Sequence, residues 1–321
     1  MTSAAIHHLN SGLIILSCIV AFFIPFELFL FSYGVLGPLH YVTEIGWLHK
    51  KNYFTKGKYD FIFLIGACSL LFCWNFNPSK NYNLMADVIL YSLLASLVFV
   101  FIKDWLYRIT FLALSFFVIS FLNNLSVYFT WVAIFLPTII HVFIFTGAFM
   151  LYGVLKEKSW PGFISILVLI TCAISLLVLQ PQNLFYTVSD YSQKSYSAFT
   201  ELNFQLINFF NLDQFTETSQ VFTTNAGFVI MRLIAFAYTY HYLNWFSKTS
   251  VIKWHQVPKA TLIITLSVWL VAVFLYAYNY NLGLQVLFFL SFLHVFLEFP
   301  LNIVSFTGIG KEVMALGKKL N

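Results

Sequence analysis

The chain has 321 residues, of which 60% are hydrophobic and 9% charged, with a mean hydropathy of +0.83. That leaves too little polar surface to coat a soluble globule and makes the chain an integral membrane protein. The formal net charge of +5 does not point to nucleic acid, because the basic residues are scattered between apolar runs and form no aromatic-interleaved patch.

A membrane-crossing helix needs about 17–25 apolar residues. Runs of that kind lie near 12–36, 59–75, 84–102, 106–122, 125–155, 161–180, 221–247, 260–278 and 282–306. The expected fold is therefore all-α: a polytopic transmembrane bundle of about nine spans forming one domain over residues 1–321. Residues Met1 to Gly12 carry no cationic region, and the run after them is too long for a signal core, so the first helix is expected to stay. Cys18, Cys68, Cys73 and Cys172 all lie inside apolar runs with no ligand-like spacing and read as small core residues.

The charges orient the spans. Lys50, Lys51, Lys56 and Lys58 follow the first run, Lys103 and Arg108 the third, and Lys156 and Lys158 the fifth. Lys248, Lys253 and Lys259 follow the seventh, and Lys311, Lys318 and Lys319 the ninth, whereas only Lys80 and Lys194 fall in the alternate loops. The positive-inside rule then places the N-terminus outside and the C-terminus in the cytoplasm. One sizeable segment, residues 182–220, lies on the outer side; its stretch "AFTELNFQLINFF" has apolar positions at helical spacing and reads as an interfacial cap. There is no evident internal repeat, which argues against a transporter built from inverted halves.

Ionisable groups inside the bilayer are costly, so each is a candidate functional residue. His141 lies midway along the fifth run, four residues after Pro137; His241 is in the cytoplasmic part of the seventh; His294 is mid-ninth. His40 stands in "GPLHYVTE", at the cytoplasmic end of the first run or in a short re-entrant helix. Glu44 and Glu298 follow His40 and His294 by four residues, which puts each pair on one helical face. Four histidines at similar depth on four segments point to a shared metal or cofactor, with the carboxylates orienting the imidazoles or binding directly. His7, His8, His49 and His255 are expected to be solvated or to face headgroups. Asp87, Glu27 and Arg232 are further charges within apolar runs, and Arg232 is a candidate counter-ion for Glu27.

The same four positions resemble the Brp/Blh-type β-carotene dioxygenases of bacteria and archaea. "GPLHYVTE" is similar to their first motif, "PTIIHVF" around His141 to the second, "AYTYHYLNWFSK" around His241 to the third, and "LSFLHVFLEFP" around His294 to the last. The chain departs from them in having Trp245 where the third motif carries a second histidine, and Phe143 and Phe145 where the second motif has an acid. The resemblance implies a non-haem Fe(II) dioxygenase in a bacterial inner membrane. His40, His141, His241 and His294 would bind the metal, Glu44 and Glu298 would assist catalysis, and O₂ would react with a lipid-soluble, carotenoid-like substrate. Its 39 Phe, 18 Tyr and 8 Trp are compatible with an apolar substrate tunnel. Other readings of the same residues stay open: a haem electron-transfer protein with two axial histidines among His141, His241 and His294, an intramembrane zinc hydrolase with Glu44 or Glu298 as base, and a non-enzymatic accessory subunit. The clustered histidine boxes of di-iron membrane desaturases are absent from the sequence. Oligomeric state is not legible.

Overall fold

The computed structural model describes residues 2–75, 82–179, 186–214, 217–248, 253 and 256–320. Lys80 and His255, and the start of the expected cap, lie outside the described residues. Among those described there is no strand. In chain order the α-helices are α1 (Ser3–Phe23), α2 (Pro25–Phe31), α3 (Gly37–His49), α4 (Asp60–Asn75), α5 (Tyr82–Phe101), α6 (Trp105–Leu122) and α7 (Thr146–Glu157). Then come α8 (Trp160–Val178), α9 (Asp190–Tyr196), α10 (Thr200–Phe209), α11 (Asn225–Ser247), α12 (Lys259–Tyr278) and α13 (Tyr280–Leu320). Two π-helical stretches, Ser32–Leu36 and Thr130–Phe145, lead into α3 and α7.

Among the described residues, seven helices are long and apolar enough to cross a membrane, and Asp60–Trp74 is a shorter apolar one. Local chemistry sets their ends. The Asp104 carboxylate accepts from Leu106 N at 2.9 Å to start α6, and Ser159 and Thr224 cap α8 and α11 in the same way. Lys158, at φ 52°, stops α7 in the left-handed conformation.

The chain forms two compact units, Met1–His40 with Val142–Gly283, and Tyr41–His141 with Leu284–Asn321. In the first unit the expected run 12–36 is not one crossing. Pro25 cannot donate to the α1 ladder and opens a new helix after Ile24. Neighbours along α11 give the direction. Going up α1, Asn10 meets Tyr240 and Phe22 meets Arg232; going on, Phe26 meets Phe228, Ser32 meets Thr239 and His40 meets His241. The chain therefore turns back at Ile24, and α2 retraces α11 in the opposite sense to α1.

α1 also lies parallel to α8: the Ser165 hydroxyl donates to His7 O at 2.9 Å, and Ser11 and Ser165 hydroxyls are 2.8 Å apart. Gly162 makes this approach possible, since a Cβ there would fall 2.5 Å from Val154 Cγ2 and 2.8 Å from His7 Cε1. Ser3 and His7 both reach the Glu157 carboxylate, the latter at 3.3 Å. The N-terminal end of α1 thus shares an end of the unit with Glu157 and Lys248, not the opposite end expected from the charge pattern. His7 is accordingly a hydrogen-bond partner of Glu157 rather than a solvated residue; His8 is exposed.

At the other end of this unit, residues 186–214 and 217–222 pack on α2 and α11 through Tyr196, Phe199 and Phe222 around Phe26 and Phe29. Glu27 accepts from Tyr186 and from Ser192, the latter at 2.9 Å. Arg232 is buried with its guanidinium 3.9 Å from the centre of the Phe22 ring, a cation–π contact. The expected Arg232–Glu27 pair does not form among the described residues: Arg232 meets Phe22, and Glu27 meets Tyr186 and Ser192.

In the second unit, Ala95, Val98 and Phe99 pack with Phe63, Ile102 and Leu112 to join α4, α5 and α6. Arg108 grips Asp60 through two bonds, 2.7 and 3.1 Å, and Gly57 N donates to the same carboxylate at 2.7 Å. Asp87 is held by Tyr128 and Asn123 at 2.8 and 3.1 Å. His49 is exposed, with Tyr53 Oη 3.3 Å from its Nδ1. All four cysteines are free, Cys68 buried and Cys73 exposed.

Candidate metal centre

The six residues singled out above, His40, Glu44, His141, His241, His294 and Glu298, are all at most 8% exposed. Burial of that many ionisable groups is tolerated only where they satisfy one another or a bound ion.

In the second unit, α13 carries His294 and Glu298 one turn apart, and the π-helical stretch Thr130–Phe145 carries His141. Pro137 inside that stretch interrupts regular backbone bonding four residues before His141, and the Thr138 hydroxyl turns back onto Ile134 O. Wide turns of this kind recur at functional sites. His141 Nε2 lies 3.1 Å from His294 Nε2 and 3.4 Å from Glu298 Oε2, and His294 Nε2 is 4.0 Å from the same oxygen. Glu44 brings a carboxylate oxygen within 4.8 Å of a His294 ring nitrogen.

Proton positions follow from the partners. His294 Nδ1 is 2.6 Å from Ser291 O, and a carbonyl only accepts, so Nδ1 carries the hydrogen. Nε2 of His294 is then a lone-pair donor aimed at His141 and Glu298. The His294 ring is also stacked on Tyr41, with centroids 4.3 Å apart and planes 26° apart, which fixes its orientation. Two acceptors, His294 Nε2 and Glu298 Oε2, thus crowd His141 Nε2 in a buried site, and a single N–H on His141 can serve only one of them. A cation serves all three.

The spacing agrees. A first-row ion with ligands at about 2.1 Å has ligand–ligand edges of about 3.0 Å in octahedral and about 3.4 Å in tetrahedral geometry, which brackets the 3.1 and 3.4 Å separations to His141; the His294–Glu298 edge, 4.0 Å, is wider and approaches the about 4.2 Å of ligands on opposite sides of an ion. Two histidines and one carboxylate are also a recurrent ligand set for catalytic iron and zinc. The same distance bears on haem: two axial imidazoles on one iron stand about 4 Å apart, nitrogen to nitrogen, so His141 and His294 at 3.1 Å are not such a pair.

In the first unit, His40 and His241 bring their Nε2 atoms to 3.1 Å, with ring planes 75° apart. The Thr146 hydroxyl lies 2.8 Å from His241 Nδ1 and turns Nε2 toward His40. Trp245 packs edge-on against His40, centroids 5.8 Å apart, and Tyr242 at 5.2 Å. At the position where the resembled motif has its second histidine, this chain therefore supplies an apolar wall and no ligand.

The structure thus joins His141, His294, Glu298 and Glu44 in one unit and His40 with His241 in the other. Sequence reading missed Thr146, Tyr41 and the Ser291 carbonyl. Thr146 left a signal, a hydroxyl within an apolar run five residues past His141; Tyr41 and Ser291 left none. Comparison with protein-family models, curated proteins and solved structures finds no match to this chain.

Proposed function

We propose that this chain is a membrane-embedded non-haem iron dioxygenase that cleaves a double bond of a long apolar, carotenoid-like polyene. The observation that carries the reading is the buried His141–His294–Glu298 set, with His141 Nε2 at 3.1 and 3.4 Å from its two partners. These three residues would hold the metal, and Fe(II) bound by three protein ligands supplies O₂ activation at its remaining positions. The Ser291 carbonyl and the Tyr41 ring hold His294 in its binding tautomer and orientation. Glu44, close to His294, is a positioning carboxylate, and the burial of the whole group excludes water from the reacting centre. The reaction balances without an external reductant: the carbon–carbon double bond breaks and each carbon takes one atom of O₂ as a carbonyl.

The sequence reading gives His40 and His241 to the same ion, and the hydroxyl placed on His241 Nδ1 supports a ligand role for that ring. The reversal at Ile24 divides the first of the nine runs read from hydropathy into two opposed segments. Within the first unit the N-terminal end of α1 lies on the side marked by Lys156 and Lys248, which the positive-inside rule assigns to the cytoplasm of a bacterial inner membrane. The same two-histidine, one-carboxylate set also suits a zinc hydrolase with Glu44 as base. The test is to purify the full chain anaerobically, identify the bound metal, and supply a polyene with O₂. Iron and paired carbonyl products support the dioxygenase; zinc with no oxygen uptake assigns the hydrolase.

A further inference from the structure

A second built site lies at the end of the first unit; neither His40 nor His241 lines it, and His7 does. A cavity of about 410 Å³ opens there between α1, α7 and α11. Lys156 stands exposed at its mouth, and Lys248 is half-buried with its ammonium held 3.5 Å from the centre of the Phe149 ring. Ile6, Phe149 and Val154 supply an apolar wall. Asn244, one helical turn inward from Lys248, closes the inner end. It is only 3% exposed, and its carboxamide has no hydrogen-bond partner among the described residues; only its backbone carbonyl is engaged, by Ser247 Oγ at 2.7 Å. The one carboxylate near the mouth, Glu157, is already occupied by Ser3 and His7.

Two ammonium groups at a rim, an apolar wall and a buried amide that lacks a partner are the complement of an amphiphile with an anionic head. Basic pockets between transmembrane helices at the membrane surface take lipid headgroups in this way. We propose that this cavity binds the phosphate of an anionic phospholipid. Lys156 and Lys248 neutralise the phosphate, Asn244 hydrogen-bonds the glycerol–ester region, and the first acyl carbons lie along Ile6, Phe149 and Val154.

The test uses the full chain in detergent micelles, with lipid retention read by native mass spectrometry and unfolding temperature read in parallel. Phosphatidylglycerol is expected to bind at one molecule per chain and raise the unfolding temperature, whereas phosphatidylcholine does neither. Each lysine near an anionic head contributes about fivefold in affinity, so Lys156→Gln and Lys248→Gln together are expected to weaken retention about 25-fold. Asn244→Leu is expected to weaken it with both lysines intact. Lys156→Gln alone changes an exposed side chain, so it reports on binding even if the buried variants fold poorly. Equal retention of phosphatidylcholine, or unchanged retention in Lys156→Gln, overturns the proposal. Displacement of the lipid by inorganic phosphate at equal concentration overturns the lipid assignment in favour of a free-phosphate site. Iron content is expected to be unchanged in all three variants, so this result and the fate of the metal centre are read separately.

Discussion

Thr146→Val removes one hydroxyl and leaves the shape of the side chain nearly intact. Thr146 and His241 are each 6% exposed, and the bond between the hydroxyl and His241 Nδ1 is 2.8 Å. At that burial the ring nitrogen that loses its partner bears the desolvation cost of an unsatisfied buried group, about 1–3 kcal/mol. If His241 is a metal ligand, that cost falls largely on metal affinity, because the second ring nitrogen sets the basicity and orientation of the first. Removing such a partner typically weakens binding about 10–100-fold, or about 1.4–2.7 kcal/mol, so the two estimates agree. The assay is competition between the purified full chain and a coloured iron chelator, with thermal melts in excess chelator to measure damage to the fold itself. Thr146→Ser restores the hydroxyl and is expected to restore affinity. Iron binding within about twofold of wild type in Thr146→Val, alongside a loss of stability in the chelated protein, would refute the assignment of His241 to the metal.

Three further outcomes are expected. Asp60→Ala leaves Arg108, held by two bonds at 2.7 and 3.1 Å, without its carboxylate. Breaking a buried pair from one side costs about 3–5 kcal/mol, and the Asp60→Ala/Arg108→Ala double variant is expected to be less destabilised than the sum of its parts in detergent unfolding. Tyr186 has its phenol pushed above the ordinary tyrosine value by burial and then by the Glu27 carboxylate that accepts its hydrogen. A raised folded value means that the unfolded chain ionises first, so stability is expected to fall as pH rises above about 10, and Tyr186→Phe should reduce that alkaline slope. Tyr41→Leu removes the ring stacked on His294 without touching a ligand, and is expected to lower turnover more than iron content; equal losses in both would make Tyr41 a mere packing residue.

Hydropathy located most helices within a few residues, as with 84–102 against Tyr82–Phe101 and 260–278 against Lys259–Tyr278. It failed at Ile24 because an apolar run carries no sign of direction: averaged over a window, Pro25 is masked by Phe22, Phe23, Ile24 and Phe26, yet the chain reverses there. His7, His8, Asn10 and Ser11 also lowered the local average and delayed the apparent start of the first helix to residue 12, whereas α1 begins at Ser3. The histidines were legible because charge and imidazole are rare inside apolar runs, and Glu298 because it stands one turn from His294. The meeting of His141 with His294, 153 residues apart, was expected only from their similar depth and from the motif resemblance, since no local pattern specifies which helix faces which. The Trp245 position shows the reverse case: a motif comparison registers a missing histidine there, and the structure shows an aromatic wall against His40.

The proposed activity requires that the buried imidazole–carboxylate set hold a metal ion. The most direct measurement is metal content by elemental analysis of the purified full chain beside His141→Ala, His294→Ala and Glu298→Ala, each checked for folding by its melt. The account predicts close to one iron per wild-type chain and less than about a tenth of that in each variant. Metal-free wild-type protein after iron loading, or unchanged iron in all three variants, would contradict it.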